Sequence, residues 1–264
     1  YVHGEEITTQ DAYDQDNSRR RRALGGTSRI VVVSRFTLEA VRRLLGEAAD
    51  RKISLIANGV DIARFTPRDK RRDLLKLYRL EESFVFVSVC RLLEKKGIDN
   101  SIRALARVSR RHPECRYLIV GSGPYRPALE AIARVAEVAD RVRFAGQVSE
   151  EDLVDCYCLG DVFVMPNRGL PNGDTEGFGL VFLEANACGL PVIAGRDGGS
   201  TDAVRHGVNG LVVDGRSVDE IAAAMLALRE DAALRERLHR GALEAAATAG
   251  WSARAEAFLA VCGG

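Results

Sequence analysis

The fold is decided by the segment Phe84-Val-Phe-Val-Ser-Val89, which is followed by an amphipathic stretch from Ile98 to Arg111 and by Tyr117-Leu-Ile-Val120. Two β-branched runs separated by a helical pattern are typical of a βαβ unit, whose strands lie parallel in one sheet. The alternation continues along the chain and predicts an α/β fold with six parallel strands covered by helices on both faces. The remaining predicted strands are 142–145, 162–165, 191–194 and 211–213, and the remaining predicted helices are 126–138, 150–158, 180–188 and 218–229.

A smaller group of elements precedes this six-strand pattern. Apolar runs at 30–33 and 53–57 flank a helical stretch at 36–48, which predicts the tail of a preceding domain. An Asn-Gly turn signal and a following proline place a hinge at 58–67. Because the chain does not open on Met, we expect further sequence upstream.

Charge and hydropathy exclude several classes of protein. Lysine and arginine number 38 against 37 aspartates and glutamates, so the formal net charge of +1 gives no reason to expect a nucleic-acid binder. The run Arg19-Arg-Arg-Arg22 could contact anionic lipid or a phosphorylated acceptor, although a solvated helix face is the simpler interpretation. No apolar stretch approaches the roughly 20 residues that span a bilayer. We expect a cytoplasmic protein whose contact with the inner face of a membrane is at most peripheral.

The six cysteines show no paired C-x-x-C spacing and mostly lie inside apolar runs. This usage predicts buried, reduced thiols in a cytosolic protein. The segment Cys156-Tyr-Cys158 lies on a predicted helix, which directs its two thiols to different faces. We interpret both as packing residues.

The strongest local signal is Asp174-Thr-Glu176-Gly-Phe-Gly179-Leu-Val-Phe-Leu-Glu184, which follows a predicted strand and leads into a helix. Glu176 precedes the helix, where it can reach a sugar hydroxyl, and Glu184 lies in the opening turns, where it can accept hydrogen bonds from a ribose diol. Gly177 and Gly179 let backbone N–H groups and the positive helix end approach a pyrophosphate. Glu176 alone would be interpreted as a charge partner of the helix N-terminus and Glu184 alone as a surface carboxylate, but the combination favours a site for a nucleotide diphosphate sugar.

A second signal is Arg91-Leu-Leu-Glu-Lys-Lys96-Gly97, at the carboxyl end of the first of the six strands. Ligands of open parallel sheets bind at that edge. Arg91 can clasp phosphate oxygens as a fork, and Lys96 can add a point charge, so the pair can neutralise a leaving diphosphate. Alone, such residues are most often solvated loop charges.

These motifs together resemble the large family of retaining GT-B glycosyltransferases that includes bacterial phosphatidylinositol mannosyltransferases and sucrose synthase. The resemblance covers nearly the whole chain. Its motifs are His3-Gly4, Ser34-Arg-Phe-Thr37, Asn58-Gly-Val-Asp61, Arg91 to Gly97, Gly121-Ser-Gly-Pro124, Phe144-Ala-Gly146, Asp161-Val-Phe-Val164 and Glu176 to Pro191.

The resemblance implies a GT-B fold in three segments. Residues 1–62 would be the remnant of an N-terminal, acceptor-side Rossmann-like domain, and 63–246 would be a complete C-terminal Rossmann-like domain that binds the nucleotide sugar. The final helix, 247–264, would cross back to the N-terminal part. The missing upstream segment of the same protein would then complete the acceptor site.

The resemblance also assigns roles to individual residues. It implies that Glu176 binds the donor sugar, that Glu184 binds the ribose and that Arg91 and Lys96 bind the pyrophosphate, with His3 on the acceptor side close to the transferred sugar. The loop whose backbone meets the sugar and phosphates would be Phe178, Gly179, Leu180 and Val181, and the base pocket would be lined by Gln147 and Val148. Asp202 stands where many members have Glu, a minor departure.

The implied activity is metal-independent transfer, with retention of anomeric configuration, from GDP-mannose or a UDP-sugar to a lipid, glycan or small-molecule acceptor. No cofactor and no metal are expected, and Asp14 and Asp16 are interpreted as a solvated pair. An alternative is a non-catalytic nucleotide-sugar-binding module. A nicotinamide-dependent oxidoreductase is disfavoured because Gly121-Ser-Gly-Pro124 lacks the third glycine of a dinucleotide fingerprint.

Overall fold

The structure is a computed structural model that describes residues 1–10 and 12–263. Asp11 and Gly264, which fall in the first and last predicted segments, lie outside the described residues. Two parallel sheets organise the chain.

The first sheet belongs to a small lobe, residues 1–10 and 12–57. Its two parallel strands are β1 (Ile30–Val32) and β2 (Ile53–Leu55), and its helices are α1 (Glu5–Thr8), α2 (Ser18–Gly25) and α3 (Arg35–Leu45). Helix α3 begins at Ser34, whose hydroxyl accepts a hydrogen bond from the backbone N–H of Thr37 in a capping box. The two strands are shorter than predicted, and α1 and α2 were not predicted.

The second sheet is the framework of the large lobe, residues 72–247. Its strands are β3 (Phe84–Val89), β4 (Cys115–Val120), β5 (Val142–Gly146), β6 (Val162–Met165), β7 (Val192–Gly195) and β8 (Gly210–Val213). All neighbouring strands pair in parallel in the order β5-β4-β3-β6-β7-β8. This is the doubly wound order, and it confirms the predicted six-strand parallel sheet.

Helices cover this sheet. They are α4 (Arg72–Tyr78), α5 (Ile98–Arg111), α6 (Arg126–Val135), α7 (Glu150–Cys158), α8 (Leu180–Ala187), α9 (Ser200–Ala203), α10 (Val218–Glu230) and α11 (Ala232–Ala247), followed by α12 (Trp251–Cys262). Helix α6 ends earlier than predicted because Glu137 adopts a left-handed conformation. Among the described residues, none of the helices combines the length and apolar character that crossing a bilayer requires.

The core lies between the strands and these helices. Phe86, Phe163 and Phe182 are fully buried, and burial of each such side chain contributes roughly 1.5–3 kcal/mol. Phe182 on α8 stacks edge to face on Phe163 of β6 with ring centroids 6.0 Å apart. This packing fixes α8 above the sheet and so determines where the residues at its beginning lie.

Two connections join the lobes near the predicted hinge. The backbone N–H of Val60 donates to the carbonyl of Ala249, and Gly59 lies so close to Trp251 that a Cβ there would be 2.8 Å from the indole ring. Further along α12, the ring of Phe258 lies 5.6 Å from that of Tyr1 in the small lobe. The last helix therefore contacts the hinge segment and the small lobe, and the domain boundaries stay a prediction.

Candidate functional site

The chemically important loops meet at the carboxyl edge of the large sheet, beside the point where strand order reverses. Strand β3 leads into the loop that carries Arg91 and Lys96, and its neighbour β6 leads into the loop that carries Glu176. In doubly wound sheets this crevice is where ligands bind. The sequence signals at distant positions are thus brought to one place by topology.

Glu176 and Lys96 form an ion pair at the centre of this edge. Their Oε2 and Nζ atoms are 2.5 Å apart, and the two side chains are only 14% and 15% exposed. Below them lies Cys90, where burial raises the pKa of the thiol to about 12, so this cysteine stays neutral. The pair places a cation, already partly desolvated, where it can be shared with an anionic ligand.

Glu184 has a neutral partner instead. Its Oε2 accepts a hydrogen bond of 2.6 Å from the hydroxyl of Tyr157, which lies on α7 and is fully buried. Burial raises the pKa of the Glu184 carboxyl, and the hydrogen bond from Tyr157 offsets part of that rise. The second oxygen remains available to accept hydrogen bonds from a ligand.

Helix α8 begins without a side-chain cap. Gly179 precedes it in a left-handed conformation, with φ 86°, and a Cβ there would lie 2.4 Å from the ring of Phe182. Among the described residues, none accepts a hydrogen bond from the backbone N–H of Leu180 or Val181. The positive end of the helix is therefore open to an anion. Phe178 is buried, so only its backbone can meet a ligand.

A cleft of about 730 Å³ opens beside these residues. Predicted site residues from three loops line it, namely Arg91, Gln147, Val148 and Val181, together with the backbone of Gly121 and Gly123. Both glycines press against the Cys90–Leu92 segment, since a Cβ at Gly121 would be 2.0 Å from the carbonyl of Cys90. The glycine loop thus forms a wall of the cleft, as a tight turn.

His3 reaches the site through its backbone. The carbonyl of His3 lies against Gly177, where a Cβ would be only 1.7 Å away, and the Ser34 hydroxyl donates to the Gly177 carbonyl at 2.7 Å. The imidazole is exposed and stacks on Tyr1 at 5.6 Å between centroids. Within residues 1–10 and 12–263, no hydrogen bond joins that ring to Glu176.

A network of charges fixes the loop before Glu176, and it was not predicted from the sequence. Arg168 is buried and forms a bidentate pair with Asp99, at 2.8 and 3.1 Å. Lys95, also buried, contacts Asp174 at 2.6 Å and Glu5 of the small lobe at 3.6 Å. The only hint in the sequence was a second lysine beside Lys96.

Tyr157 was missed as well, because nothing in Cys-Tyr-Cys distinguishes a buried hydroxyl donor from a packing residue.

The expectation of a solvated Asp14–Asp16 pair is wrong for Asp14. Its side chain is buried and accepts hydrogen bonds from the backbone N–H groups of Arg19 and Arg20, so it caps α2. Asp16 is exposed, as expected. No group of three or more His, Cys, Asp or Glu in the described part of the chain could hold a metal ion.

A second cleft, of about 700 Å³, lies between the lobes on the other side of the Glu176 loop. The arginines Arg21, Arg43 and Arg196 line it. Arg196 is paired with Glu220, and the single carboxylate that lines the cleft, Asp197, is paired with Arg216. Thr175 also faces it, and its hydroxyl has no hydrogen-bond partner among the described residues. The surroundings of this cleft are therefore basic.

The doubly wound topology of the six-strand parallel sheet, with the open helix end at its carboxyl edge, is that of a GT-B fold. Solved structures agree with this fold. Anabaena HepE in complex with UDP and glucose superposes with a TM-score of 0.82 at 24% identity, over 94% of this chain and 66% of that one. Sucrose-phosphate synthase from Thermosynechococcus elongatus gives 0.79 at 27% identity, over 95% and 62%.

The chain belongs to the family "Glycosyl transferases group 1", whose model matches residues 69–245. A GDP-mannose-dependent alpha-(1-6)-phosphatidylinositol monomannoside mannosyltransferase of Mycobacterium tuberculosis is 43% identical over 213 residues, 80% of this chain and 55% of the relative. A D-inositol 3-phosphate glycosyltransferase of Kribbella flavida is 36% identical over 222 residues, 81% and 51%. The chain thus spans about half the length of these curated relatives.

Proposed function

We propose that this chain carries the donor site of a retaining, metal-independent mannosyltransferase that uses GDP-mannose. The observation that carries the proposal is the arrangement of Lys96, Glu176 and Glu184 around the open beginning of α8. The 43% identical relative, whose name specifies GDP-mannose, supports this donor over a UDP-sugar.

In the proposed complex, the guanine and ribose occupy the cleft lined by Gln147, Val148 and Val181. The free oxygen of Glu184 accepts hydrogen bonds from the ribose hydroxyls, while Tyr157 holds its other oxygen. Arg91 is exposed at the mouth of the cleft, where its guanidinium can turn onto the phosphates.

The transfer step places charge where these residues can stabilise it. The acceptor hydroxyl oxygen forms a bond to the anomeric carbon on the face that the leaving group vacates, and the bond from that carbon to the β-phosphate oxygen breaks. The proton passes to the departing phosphate, which serves as base. Arg91, Lys96 and the N–H groups that begin α8 stabilise the negative charge of the diphosphate, so this step requires no metal ion.

The acceptor is proposed to be a phosphate-bearing polyol, either a lipid or a small molecule. The cleft between the lobes supports this class, since Arg21 and Arg43 line it without a carboxylate partner among the described residues and its one carboxylate is paired with Arg216. The relatives with 43% and 36% identity also have phosphatidylinositol or inositol phosphate in their names. The same cleft could also accommodate a glycan acceptor. Through the exposed arginines of α2, the chain could in addition contact an anionic membrane peripherally.

Calorimetric titration of the chain with GDP, UDP and ADP, in the presence of a chelator, tests the donor site. We expect micromolar binding of GDP, weakened in Glu184→Ala by at least about 1.4 kcal/mol, a tenfold loss. The control is Glu151→Ala, which removes an exposed carboxylate from α7, the helix that carries Tyr157. This variant should bind GDP as the wild type does. Absence of binding of every nucleotide by the folded chain would overturn the proposal, and preference for UDP would correct the donor.

A further inference from the structure

Two cysteines lie at the edge of the large sheet opposite the donor cleft. Cys158 ends α7 and Cys188 follows α8, and each stands four residues ahead of a strand, β6 and β7 respectively. These two strands are parallel neighbours, with Phe163 paired to Val192. Equivalent positions ahead of adjacent strands place the two residues next to each other at this edge.

The two side chains share one environment, because both line the same cleft. The Cys158 thiol donates a hydrogen bond of 3.7 Å to the Thr66 carbonyl. Cys188 and Arg68 together hold the pKa of Cys158 below its ordinary value despite burial.

Solvent reaches the pair although both residues are less than a tenth exposed. A cleft of about 600 Å³ is lined by the two cysteines, by the basic side chains Arg68, Lys70, Arg235 and His239, and by the acidic side chains Asp69, Asp161 and Glu236. Arg68 favours a thiolate at Cys158, and a cleft of this size admits a small oxidant such as hydrogen peroxide.

The pair lies directly behind the proposed ribose contact. Tyr157, which donates to Glu184, is the residue before Cys158, and the backbone N–H of Cys188 donates to the carbonyl of Glu184 at 3.0 Å. Any movement that draws Cys158 and Cys188 together therefore acts on both partners of the Tyr157–Glu184 hydrogen bond.

We propose that Cys158 and Cys188 are a modification site at which hydrogen peroxide forms a disulfide, and that this disulfide weakens nucleotide binding at Glu184. The second clause rests on the proposed function. The first rests on the position of both cysteines ahead of paired neighbouring strands and on the cleft that both of them line.

The chemistry balances with peroxide as the oxidant. The Cys158 thiolate attacks one peroxide oxygen, so an S–O bond forms, the O–O bond breaks and hydroxide leaves as water after taking up a proton. The Cys188 thiol then loses its proton and attacks the sulfenic sulfur, so the S–S bond forms and the S–O bond breaks, releasing a second water. Two thiols lose two electrons, and one peroxide gains them.

The disulfide must shorten the distance between the sulfurs, because an S–S bond is about 2.05 Å long. The ends of α7 and α8 then shift toward each other, and the Tyr157 hydroxyl moves relative to the Glu184 carboxylate. We expect GDP to bind about tenfold more weakly to the oxidised chain, the loss typical of one hydrogen bond to a charged group.

The test starts from a Cys262→Ser background, because Cys262 is exposed and can link two chains. After treatment with a small excess of peroxide, intact-mass spectrometry should show the loss of two hydrogens, and peptide mapping should find Cys158 joined to Cys188. Cys158→Ala and Cys188→Ala should each abolish the loss, whereas Cys156→Ala, which removes a buried neighbour on α7, should retain it. Oxygen addition without a cross-link, or a cross-link that persists in the single variants, would overturn the proposed disulfide.

Calorimetry on the same samples separates this inference from the proposed function. The proposed coupling is the effect of the disulfide on nucleotide binding. It is supported if the reduced chain binds GDP, if oxidation weakens this binding about tenfold and if reduction restores it. Equal affinity before and after complete cross-linking overturns the coupling. If the reduced chain binds no nucleotide while the cross-link still forms, the proposed function and the coupling fail, and the modification site stands.

Discussion

Glu176 lies in a loop and is bonded to a cation, whereas Glu184 lies on helix α8 and is bonded to a neutral tyrosine. Both side chains are largely withdrawn from water, but only the first has its charge compensated within the protein. The Glu176–Lys96 pair is already complete in the free chain, so a ligand must share or displace a partner there.

Glu184 is in the opposite situation, because its ionised form is penalised by burial and receives one hydrogen bond. Hydroxyl groups of a ligand would supply the missing donors. The comparison therefore suggests that Glu176 contributes orientation and selectivity for the sugar, while Glu184 contributes affinity for the nucleoside. The experiments below separate these two contributions.

The largest effect is expected for Glu176→Gln. This change removes the charge of the proposed acceptor of the sugar hydroxyls, so we expect GDP-mannose to bind roughly 10 to 100-fold more weakly, the loss of one or two hydrogen bonds to a charged group. GDP alone should bind as well as before or more tightly, because Lys96 loses its competing partner. Calorimetry with both ligands measures the difference.

Glu5→Gln is the matched control for this variant, since it neutralises an exposed carboxylate that contacts the neighbouring Lys95. It should leave both affinities unchanged. Equal weakening of GDP and GDP-mannose in Glu176→Gln would show that Glu176 serves the phosphates or the loop rather than the sugar.

A smaller effect is expected from pH, through Glu184. Its pKa is raised in the folded chain, so acidification protonates it earlier than an ordinary glutamate, and the neutral acid accepts ribose hydrogen bonds less well. GDP affinity should fall by about threefold to tenfold as pH drops through that raised pKa. Because the nucleotide favours the ionised carboxylate, its binding should in turn lower the pKa.

Glu184→Gln isolates this titration from that of the phosphates. The variant should bind GDP weakly at every pH, near the affinity of protonated wild type, and any remaining pH dependence belongs to the nucleotide. A wild-type profile parallel to that of the variant across the acidic range would contradict a role for Glu184 ionisation.

The strands of the large sheet, and the site residues at the ends of its elements, could be predicted from the sequence. Alternating β-branched and amphipathic runs predict β3 to β8 because both faces of a parallel sheet are buried, and Glu176, Glu184 and Lys96 follow from motifs at the ends of those elements. The helices that sequence reasoning missed have local causes. Helix α11, for example, follows α10 after one residue, Asp231, whose side chain accepts from the backbone N–H of Leu234.

The hydrogen-bond and ion-pair partners of the site residues could not be predicted from the sequence. Tyr157 lies 27 positions from Glu184, and Arg168 lies 69 from Asp99, so the pairing depends on strand order and helix packing. His3 illustrates a different limit, because the close contact in the structure is made by its carbonyl against Gly177. A motif identifies the residue but not which of its atoms faces the site.

The smallest effect is expected for Tyr157→Phe, which deletes the hydroxyl that donates to Glu184 but keeps the ring packed on Phe163. Because this hydrogen bond lowers the pKa of Glu184, its loss should raise that pKa further, so GDP affinity should begin to fall at a higher pH than in the wild type. At neutral pH we expect about threefold weaker binding, the contribution of a single hydrogen bond.

Tyr117→Phe is the control, since it removes an equally buried hydroxyl, bonded to Ser88 at 2.6 Å and remote from Glu184. If both variants lose stability alike and only Tyr157→Phe shifts the pH profile, the tyrosine positions the carboxylate; an unshifted profile would reduce it to a packing residue.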